Sequence, residues 1–174
     1  MKRIGIISDT HGSFAAVDAC MIKAGAVDGW FHLGDIASDA RLLAERTGLP
    51  VFSVLGNCDG RGVREREEDV FPKPQKRTVS ERVVTVEKAR IFLCHGHTLD
   101  VDFGPWTLSY RAEELNCQAA LFGHTHRGEL SACGSLLILN PGSPSRPRGM
   151  AKPSFAVMEI DGKDVNASII TLQD

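Results

Sequence analysis

Short apolar runs alternate with amphipathic stretches in the first third of the chain. The apolar runs at residues 3–8, 30–33 and 51–55 predict buried strands, each followed by glycine or polar residues. Between them, residues 13–24 carry apolar side chains at helical spacing, and residues 40–46 also predict a helix that ends at a glycine. The order strand, helix, strand, helix, strand predicts a βαβ unit with parallel strands.

The remainder of the chain is rich in predicted strands. Residues 83–87 and 90–94 flank a tight turn and predict a hairpin, and residues 107–115 predict a helix. The charged, proline-containing stretch 61–77 predicts a surface excursion. Further short strands are predicted at residues 119–122, 129–132, 135–139, 154–160 and 165–172. The whole pattern predicts an α/β sandwich, with one mixed sheet or a pair of sheets covered by helices, in one domain over residues 1–174.

Composition narrows the class of protein. Hydrophobic residues make up 43% and charged residues 24%, both ordinary values for a globular protein. A formal net charge of -2 argues against general nucleic-acid binding or a membrane-surface protein. Five scattered cysteines without a Cys-x-x-Cys pair predict free thiols in a reducing compartment. Since no run is long enough for a signal peptide or a membrane span, we expect a cytoplasmic protein.

Potential metal ligands follow the predicted strands. The carboxyl ends of parallel strands meet at one edge of a sheet, where sites form in α/β proteins. The last two histidines, separated by one residue, are expected on extended backbone, which would point both rings to the same side. The donors at these strand ends are Asp9, His11, Asp35, Asn57, His95, His124 and His126.

Seven donors are too many for one ion that keeps an open position, and they suit two ions about 3.5–4 Å apart that share a carboxylate. Two carboxylates (-2) and two divalent ions (+4) would leave a net charge of +2, which neutral Asn57 preserves and a phosphate would match. A metal-bound hydroxide would then attack the phosphorus in line. Manganese is our first expectation, and such mixed ligands also accept zinc, iron or nickel.

The motifs together resemble those of the calcineurin-like metallophosphoesterase superfamily, in its small single-domain prokaryotic phosphodiesterase branch. They are Asp9-x-His11, Gly34-Asp35, Gly56-Asn57, Gly96 between two histidines, Gly123-His124-x-His126, and the tail Leu139-Asn140-Pro141-Gly142-Ser143. The resemblance implies a four-layer α/β/β/α sandwich of mixed sheets and a metal-dependent phosphodiesterase. It implies one ion held by Asp9, His11, Asp35 and His126. It implies a second ion held by Asp35, Asn57, His95 and His124, with Asp35 as the bridge.

Three further side chains are candidates near the substrate. His97 is expected either to support the ligands or to contact the substrate. Cys58 stands where the wider superfamily has histidine, which argues against broad phosphomonoesterase activity. The resemblance favours Arg146 or Arg148 near the phosphate, and a solvated loop is the alternative. The candidate catalytic residues are therefore Asp35, Asn57 and His97. The candidate substrate-binding residues are Cys58 and Arg146.

Two classes of function remain open at this point. One is a dinuclear phosphodiesterase that acts on a small phosphodiester substrate. The other is a scaffold or binding module on the same fold, which would tolerate loss of ligands. Because all seven ligand positions are filled, the sequence favours the enzyme. Members of the branch resemble homo-oligomers, so self-association is also an expectation.

Overall fold

The computed structural model describes residues 1–60 and 65–173, and these form two β-sheets and three α-helices. The helices are α1 Phe14–Ala24, α2 Ser38–Thr47 and α3 Trp106–Glu114. The strands are β1 Lys2–Ile7, β2 Gly29–His32, β3 Val51–Ser53, β4 Arg66–Val70, β5 Glu81–Val86, β6 Ala89–Cys94, β7 Ala119–Leu121, β8 Gly128–Cys133, β9 Leu136–Pro141, β10 Ser154–Asp161 and β11 Asp164–Thr171. Short 3-10 helices span Asn57–Asp59, His97–Leu99 and Val101–Phe103.

Both sheets are mixed. The first has the order β11-β10-β1-β2-β3, with β1, β2 and β3 parallel, which confirms the predicted βαβ unit. Its strands β10 and β11 form an antiparallel hairpin that pairs antiparallel with β1. The second has the order β4-β5-β6-β7-β9-β8, with β6, β7 and β9 parallel. The carboxyl ends of five strands, β1, β2, β3, β6 and β7, therefore carry the loops that hold the candidate ligands.

Three apolar clusters fill the space between the two sheets and between each sheet and its helices. Between the sheets, Phe31 on the first belongs to the same buried cluster as Ile91 on the second. On the outer face of the first sheet, Val17 of α1 and Leu43 of α2 are fully buried. On the outer face of the second sheet, Leu108 of α3 is fully buried. Each sheet thus buries both faces, which explains why its central strands are continuous apolar runs.

The predicted surface excursion at residues 61–77 was wrong in part. Residues 66–70 form strand β4, which pairs in parallel with β5 at the edge of the second sheet. Its sequence, Arg-Glu-Glu-Asp-Val, lacks the apolar residues that usually predict a strand, because an edge strand can carry charges on its exposed side. On the other side, Asp69 forms an ion pair with the buried guanidinium of Arg82. Residues 61–64 of the predicted excursion lie outside the described residues.

The helices are short in relation to a lipid bilayer. Across residues 1–60 and 65–173, none of them is both long enough and apolar enough to span a membrane.

Candidate metal centre

The loops that follow five strand ends bring together the seven predicted donors. Around the first group, one ligand atom from each of Asp9, His11, Asp35 and His126 lies within 4.8 Å of the others. The nitrogen His126 Nε2 lies 3.1 Å from Asp9 Oδ1 and 3.3 Å from His11 Nε2. We call Asp9, His11 and His126 the buried half of the centre.

The second group lies on the other side of Asp35. His95 Nε2 and His124 Nδ1 are each 3.1 Å from Asn57 Oδ1. We call Asn57, His95 and His124 the open half, because Asn57 is exposed and the His124 side chain is 19% exposed. Asp35 faces both halves, with Oδ2 at 3.9 Å from His11 Nε2 and Oδ1 at 3.4 Å from His95 Nε2.

In the buried half, hydrogen bonds leave lone pairs that point at one another. His126 Nδ1 donates to the carbonyl of Arg146 at 2.6 Å, so its Nε2 carries the lone pair of the neutral ring. That lone pair faces Asp9 Oδ1, a buried oxygen without a hydrogen-bond donor. A buried acceptor without a partner is costly, and a cation between these atoms would remove the cost.

The open half repeats this arrangement. His95 Nδ1 donates to the carbonyl of Leu33 at 2.7 Å, so Nε2 again carries the lone pair. It points at the carbonyl oxygen of Asn57, which is also an acceptor. Imidazole nitrogens and carboxylate or amide oxygens are ligands of manganese, zinc, iron and nickel, so the donor set fits divalent ions in both halves.

The carboxylates of the centre are held in the charged form. Burial opposes ionisation of Asp9, but the close contact with His126 and the charge of His95, when these rings are protonated, outweigh it, so the pKa of Asp9 is lowered. Burial also opposes ionisation of Asp35. Its contact with His95, when that ring is protonated, and the hydrogen bond from the backbone N–H of Cys58 outweigh burial and hold the pKa of Asp35 well below its usual range.

The same contacts favour a proton on two of the histidines. The carboxylate of Asp9, 3.1 Å from His126 Nε2, raises the pKa of His126. Burial lowers the pKa of His95, but Asp35 and Asp9 outweigh it and the pKa is raised overall. In contrast, burial lowers the pKa of His11. Without metal, protons on His95 and His126 would partly neutralise the carboxylates, so protons and metal ions compete for the same nitrogens.

Most of the donors sit in strained backbone. The φ angles of Asp9, His11, Asp35, His124 and His126 are 54°, 47°, 54°, 67° and 58°. Residues other than glycine rarely adopt this left-handed region, and such strain collects at functional sites. Hydrogen bonds hold these loops: the N–H of Asp9 donates to the carbonyl of Gly34 at 3.0 Å, and the N–H of His124 donates to Asp9 Oδ2 at 3.0 Å.

The expectation of extended backbone at His124 and His126 was wrong. Strand β7 ends at Leu121, and both histidines lie in the following turn with positive φ. The turn separates the two rings, so that His126 joins the buried half and His124 joins the open half. A strand would instead have pointed both rings to one side.

Asp59 is a functional residue that sequence reasoning missed. Its carboxylate accepts the backbone N–H groups of Gly56, Asp35 and Ala37 at 2.7, 3.1 and 2.7 Å. Asp59 therefore connects the turn that carries Asp35 with the loop that carries Asn57 through hydrogen bonds. The available signal was its place at the end of Gly56-Asn57-Cys58-Asp59, but only the fold shows which groups it binds.

The tail motif around Asn140 fixes two other ligand loops. Asn140 Nδ2 donates to the carbonyl of Gly123 at 2.8 Å, and Ser143 Oγ donates to the carbonyl of Asp9 at 2.8 Å. Gly123 must lack a side chain, because a Cβ there would lie 1.9 Å from Ser8 Oγ. The close packing of these loops explains the glycine that precedes His124.

The remaining candidates lie around the open half and the rim. The ring centroid of His97 is 5.4 Å from that of His95, and burial lowers the pKa of His97. Cys58 Sγ lies 3.3 Å from Asp35 Oδ2, and burial together with this contact raises the pKa of the thiol. The Arg146 side chain is exposed; its backbone carbonyl accepts from His126.

His32 supports one of the ligand loops through hydrogen bonds. It is fully buried, its Nδ1 accepts from the N–H of Gly34 at 3.2 Å, and its Nε2 lies 3.0 Å from Thr10 Oγ1. Thr10 Oγ1 in turn donates to Asp39, whose carboxylate accepts the N–H of Gly12. This chain supports the loop that carries Asp9 and His11, and burial lowers the pKa of His32 to about 4.

Comparison with known proteins agrees with this geometry. Residues 1–163 match the family model described as the calcineurin-like phosphoesterase superfamily domain. A probable metallophosphoesterase of Methanothermobacter thermautotrophicus is 32% identical in an alignment of 170 positions that covers 96% of this chain and 91% of that protein. The phosphodiesterase YfcE of Escherichia coli is 31% identical in an alignment of 193 positions that covers 100% of this chain and 94% of YfcE.

A solved structure also resembles the whole chain. It is a conserved uncharacterised protein, a predicted phosphoesterase, from Streptococcus pneumoniae. The two structures align with a TM-score of 0.75 and 29% sequence identity, and the alignment covers 98% of this chain and 90% of the other.

Proposed function

Because the chain belongs to the calcineurin-like phosphoesterase superfamily, we propose that this metal-dependent phosphoesterase is a phosphodiesterase with a two-ion centre. The observation that carries the proposal is the convergence of imidazole nitrogens with carboxylate or amide oxygens in each half, on either side of Asp35. The name of the Escherichia coli relative, a phosphodiesterase, supports the substrate class.

Each residue then has a defined part. Asp9, His11 and His126 would hold one ion, Asn57, His95 and His124 would hold the other, and Asp35 would contact both. Divalent ions bound there would polarise a phosphoryl oxygen and lower the pKa of water enough to supply a nucleophile near neutral pH. Asn57 contributes an oxygen without a charge, so the centre stays attractive to an anionic phosphodiester.

Cys58 limits the choice of leaving group. In the metal-free protein, its contact with Asp35 and its raised pKa favour the protonated thiol, and a thiol is only a weak hydrogen-bond donor. A departing alkoxide needs a proton in the transition state, whereas an aryl oxide needs it far less. The proposed enzyme therefore cleaves small diesters with good leaving groups well and alkyl phosphomonoesters poorly.

The test is an assay of metal-stripped protein with manganese, zinc, iron and nickel in turn. Bis-para-nitrophenyl phosphate serves as the diester and an alkyl phosphate as the monoester. We expect hydrolysis of the diester to return with metal and to disappear with a chelator. Asp35→Asn should lose this metal-dependent activity, and its matched control is Asp164→Asn, which also removes one carboxylate charge but from an exposed position in the β10–β11 hairpin.

Two outcomes would overturn the proposal. One is diester hydrolysis that persists unchanged in the stripped protein with chelator present. The other is a protein that binds metal but hydrolyses no phosphoester, which would instead support a scaffold on this fold.

A further inference from the structure

A carboxylate outside the seven donors contacts the ring of His124. Asp102 Oδ2 lies 2.8 Å from His124 Nε2. An ionised carboxylate only accepts hydrogen bonds, so this contact places the ring proton on Nε2. The lone pair of neutral His124 is then on Nδ1, the atom 3.1 Å from Asn57 Oδ1.

The other tautomer would close the ligand position. With its proton on Nδ1, the ring would donate to Asn57 Oδ1 and leave no lone pair toward a cation. Its Nε2 lone pair would then face the Asp102 carboxylate, and two acceptors at 2.8 Å repel each other. Asp102 therefore disfavours the Nδ1–H tautomer, in which His124 would donate a hydrogen bond to Asn57 Oδ1.

The backbone holds Asp102 in place for this contact. It lies in the 3-10 helix Val101–Phe103, and Val101 is buried in the apolar cluster beneath α3. The N–H of Phe103 donates to the carbonyl of Asp100 at 2.9 Å, and the N–H of Gly104 donates to the carbonyl of Val101 at 3.2 Å. The carboxylate thus comes from a fixed turn and not from a long, freely rotating side chain.

We propose that Asp102 is a positioning residue, which selects the Nε2–H tautomer of His124 and directs Nδ1 at a divalent cation in the open half. The proposal rests on the proposed two-ion centre. A carboxylate that accepts from the distal nitrogen of a ligand histidine commonly orients it, and its loss typically lowers metal affinity about 10–100-fold.

The alternative is an ordinary surface ion pair. The Asp102 side chain is 52% exposed, and exposed ion pairs contribute little to stability. Asp100 provides a matched control, because it is an exposed aspartate two residues earlier. Its φ of 53° suits asparagine, so Asp100→Asn changes the same charge without new backbone strain.

The first experiment titrates metal-stripped protein with manganese alone, and separately with zinc alone, by calorimetry. We expect Asp102→Ala to weaken the weaker of the two binding events about 10–100-fold and to leave the tighter event unchanged. Asp102→Asn, whose amide oxygen still accepts a hydrogen bond, should fall between Asp102→Ala and the native protein. Asp100→Asn should bind like the native protein. Circular dichroism checks that each variant is folded.

The second experiment uses no metal and reports on the tautomer directly. Long-range 15N–1H spectra of the stripped protein distinguish Nδ1–H from Nε2–H, and the His124→Gln variant assigns the signal. We expect Nε2–H in the native protein and Asp100→Asn, and a shift toward Nδ1–H in Asp102→Ala.

The proposal is overturned if His124 keeps the Nε2–H form in Asp102→Ala, or if Asp102→Ala and Asp100→Asn weaken binding equally. If the native protein binds no metal, the proposed two-ion centre is disproved. The 15N–1H spectra of the metal-free protein then still show whether Asp102 selects the tautomer of His124.

Discussion

The two halves of the candidate centre differ in their access to solvent. Side-chain exposure is 0% for Asp9, 5% for His126 and 12% for His11 in the buried half. In the open half, Asn57 is exposed and the His124 side chain is 19% exposed, whereas His95 is buried. Electrostatic contacts are stronger where water is excluded, so an ion in the buried half should be held more tightly. We therefore expect a substrate phosphate and its leaving group to enter at the open half.

The largest expected effect comes from Asp35, the residue that belongs to neither half alone. Asp35→Asn removes the only charge that both ions would share, and it should release at least one ion. Loss of about 4 kcal/mol of transition-state stabilisation corresponds to a rate about 10³-fold lower. Turnover and metal content of Asp35→Asn are measured against Asp164→Asn. A variant that retained both ions and the native rate would disprove the shared carboxylate.

The second prediction separates the halves. His126→Ala should abolish the tighter binding event, whereas His124→Ala should weaken only the other event, because the two rings face different groups. Calorimetric titration of stripped protein with manganese measures both. If the two variants lose affinity in the same way, the division into a buried and an open half is wrong.

The third prediction concerns pH and stability. In the stripped protein, the raised pKa values of His95 and His126 contribute stability that is complete below pH 6.5 and lost as pH rises through the folded-state values. Asp9 and Asp35 are ionised in both folded and unfolded chains over this range, so they add no slope. Metal binds the unprotonated nitrogens, so its stabilising effect should grow as pH rises above 6.5.

Thermal unfolding with and without metal tests this expectation. A hundredfold excess over Kd contributes about 2.7 kcal/mol, which is roughly 5–10 °C in Tm for a chain of this size. The increase in Tm should be larger at the higher pH. A metal-induced increase that shrinks as pH rises would contradict competition between protons and ions at His95 and His126.

The smallest expected effect concerns Cys58, at the entrance to the open half. Cys58→His should raise the rate for alkyl leaving groups, by up to about 10²-fold, and should change aryl diesters little. Rates against leaving-group pKa measure this for both proteins. A flat dependence in the native enzyme, or loss of aryl diester hydrolysis in Cys58→Ser, would show that Cys58 has a catalytic role of its own.

The positions of the donors could be predicted from sequence because the apolar run of each strand, and the glycine or polar residues that end it, are neighbours along the chain. Asp9 follows β1 and His95 follows β6, as the apolar runs indicated. Strand β4 was missed because its charged residues suit an exposed edge and give little apolar signal.

Backbone conformation and supporting contacts could not be predicted in the same way. The left-handed turns at His124 and His126 form hydrogen bonds with distant parts of the chain, since the N–H of His124 donates to Asp9 and Nδ1 of His126 donates to the carbonyl of Arg146. Asn140 donates a hydrogen bond to Gly123, and Asp102 contacts His124, which is 22 residues away in the sequence. No local sequence pattern predicts either contact. Asparagine and aspartate residues occur throughout the chain, and only the fold shows which of them contact a ligand loop.

Anomalous diffraction from crystals grown with manganese tests the central claim most directly. We expect two peaks about 3.5–4 Å apart, on either side of the Asp35 carboxylate. One should lie among Asp9, His11 and His126, and the other among Asn57, His95 and His124. A single peak at full manganese saturation, or two peaks without Asp35 between them, would contradict the two-ion centre.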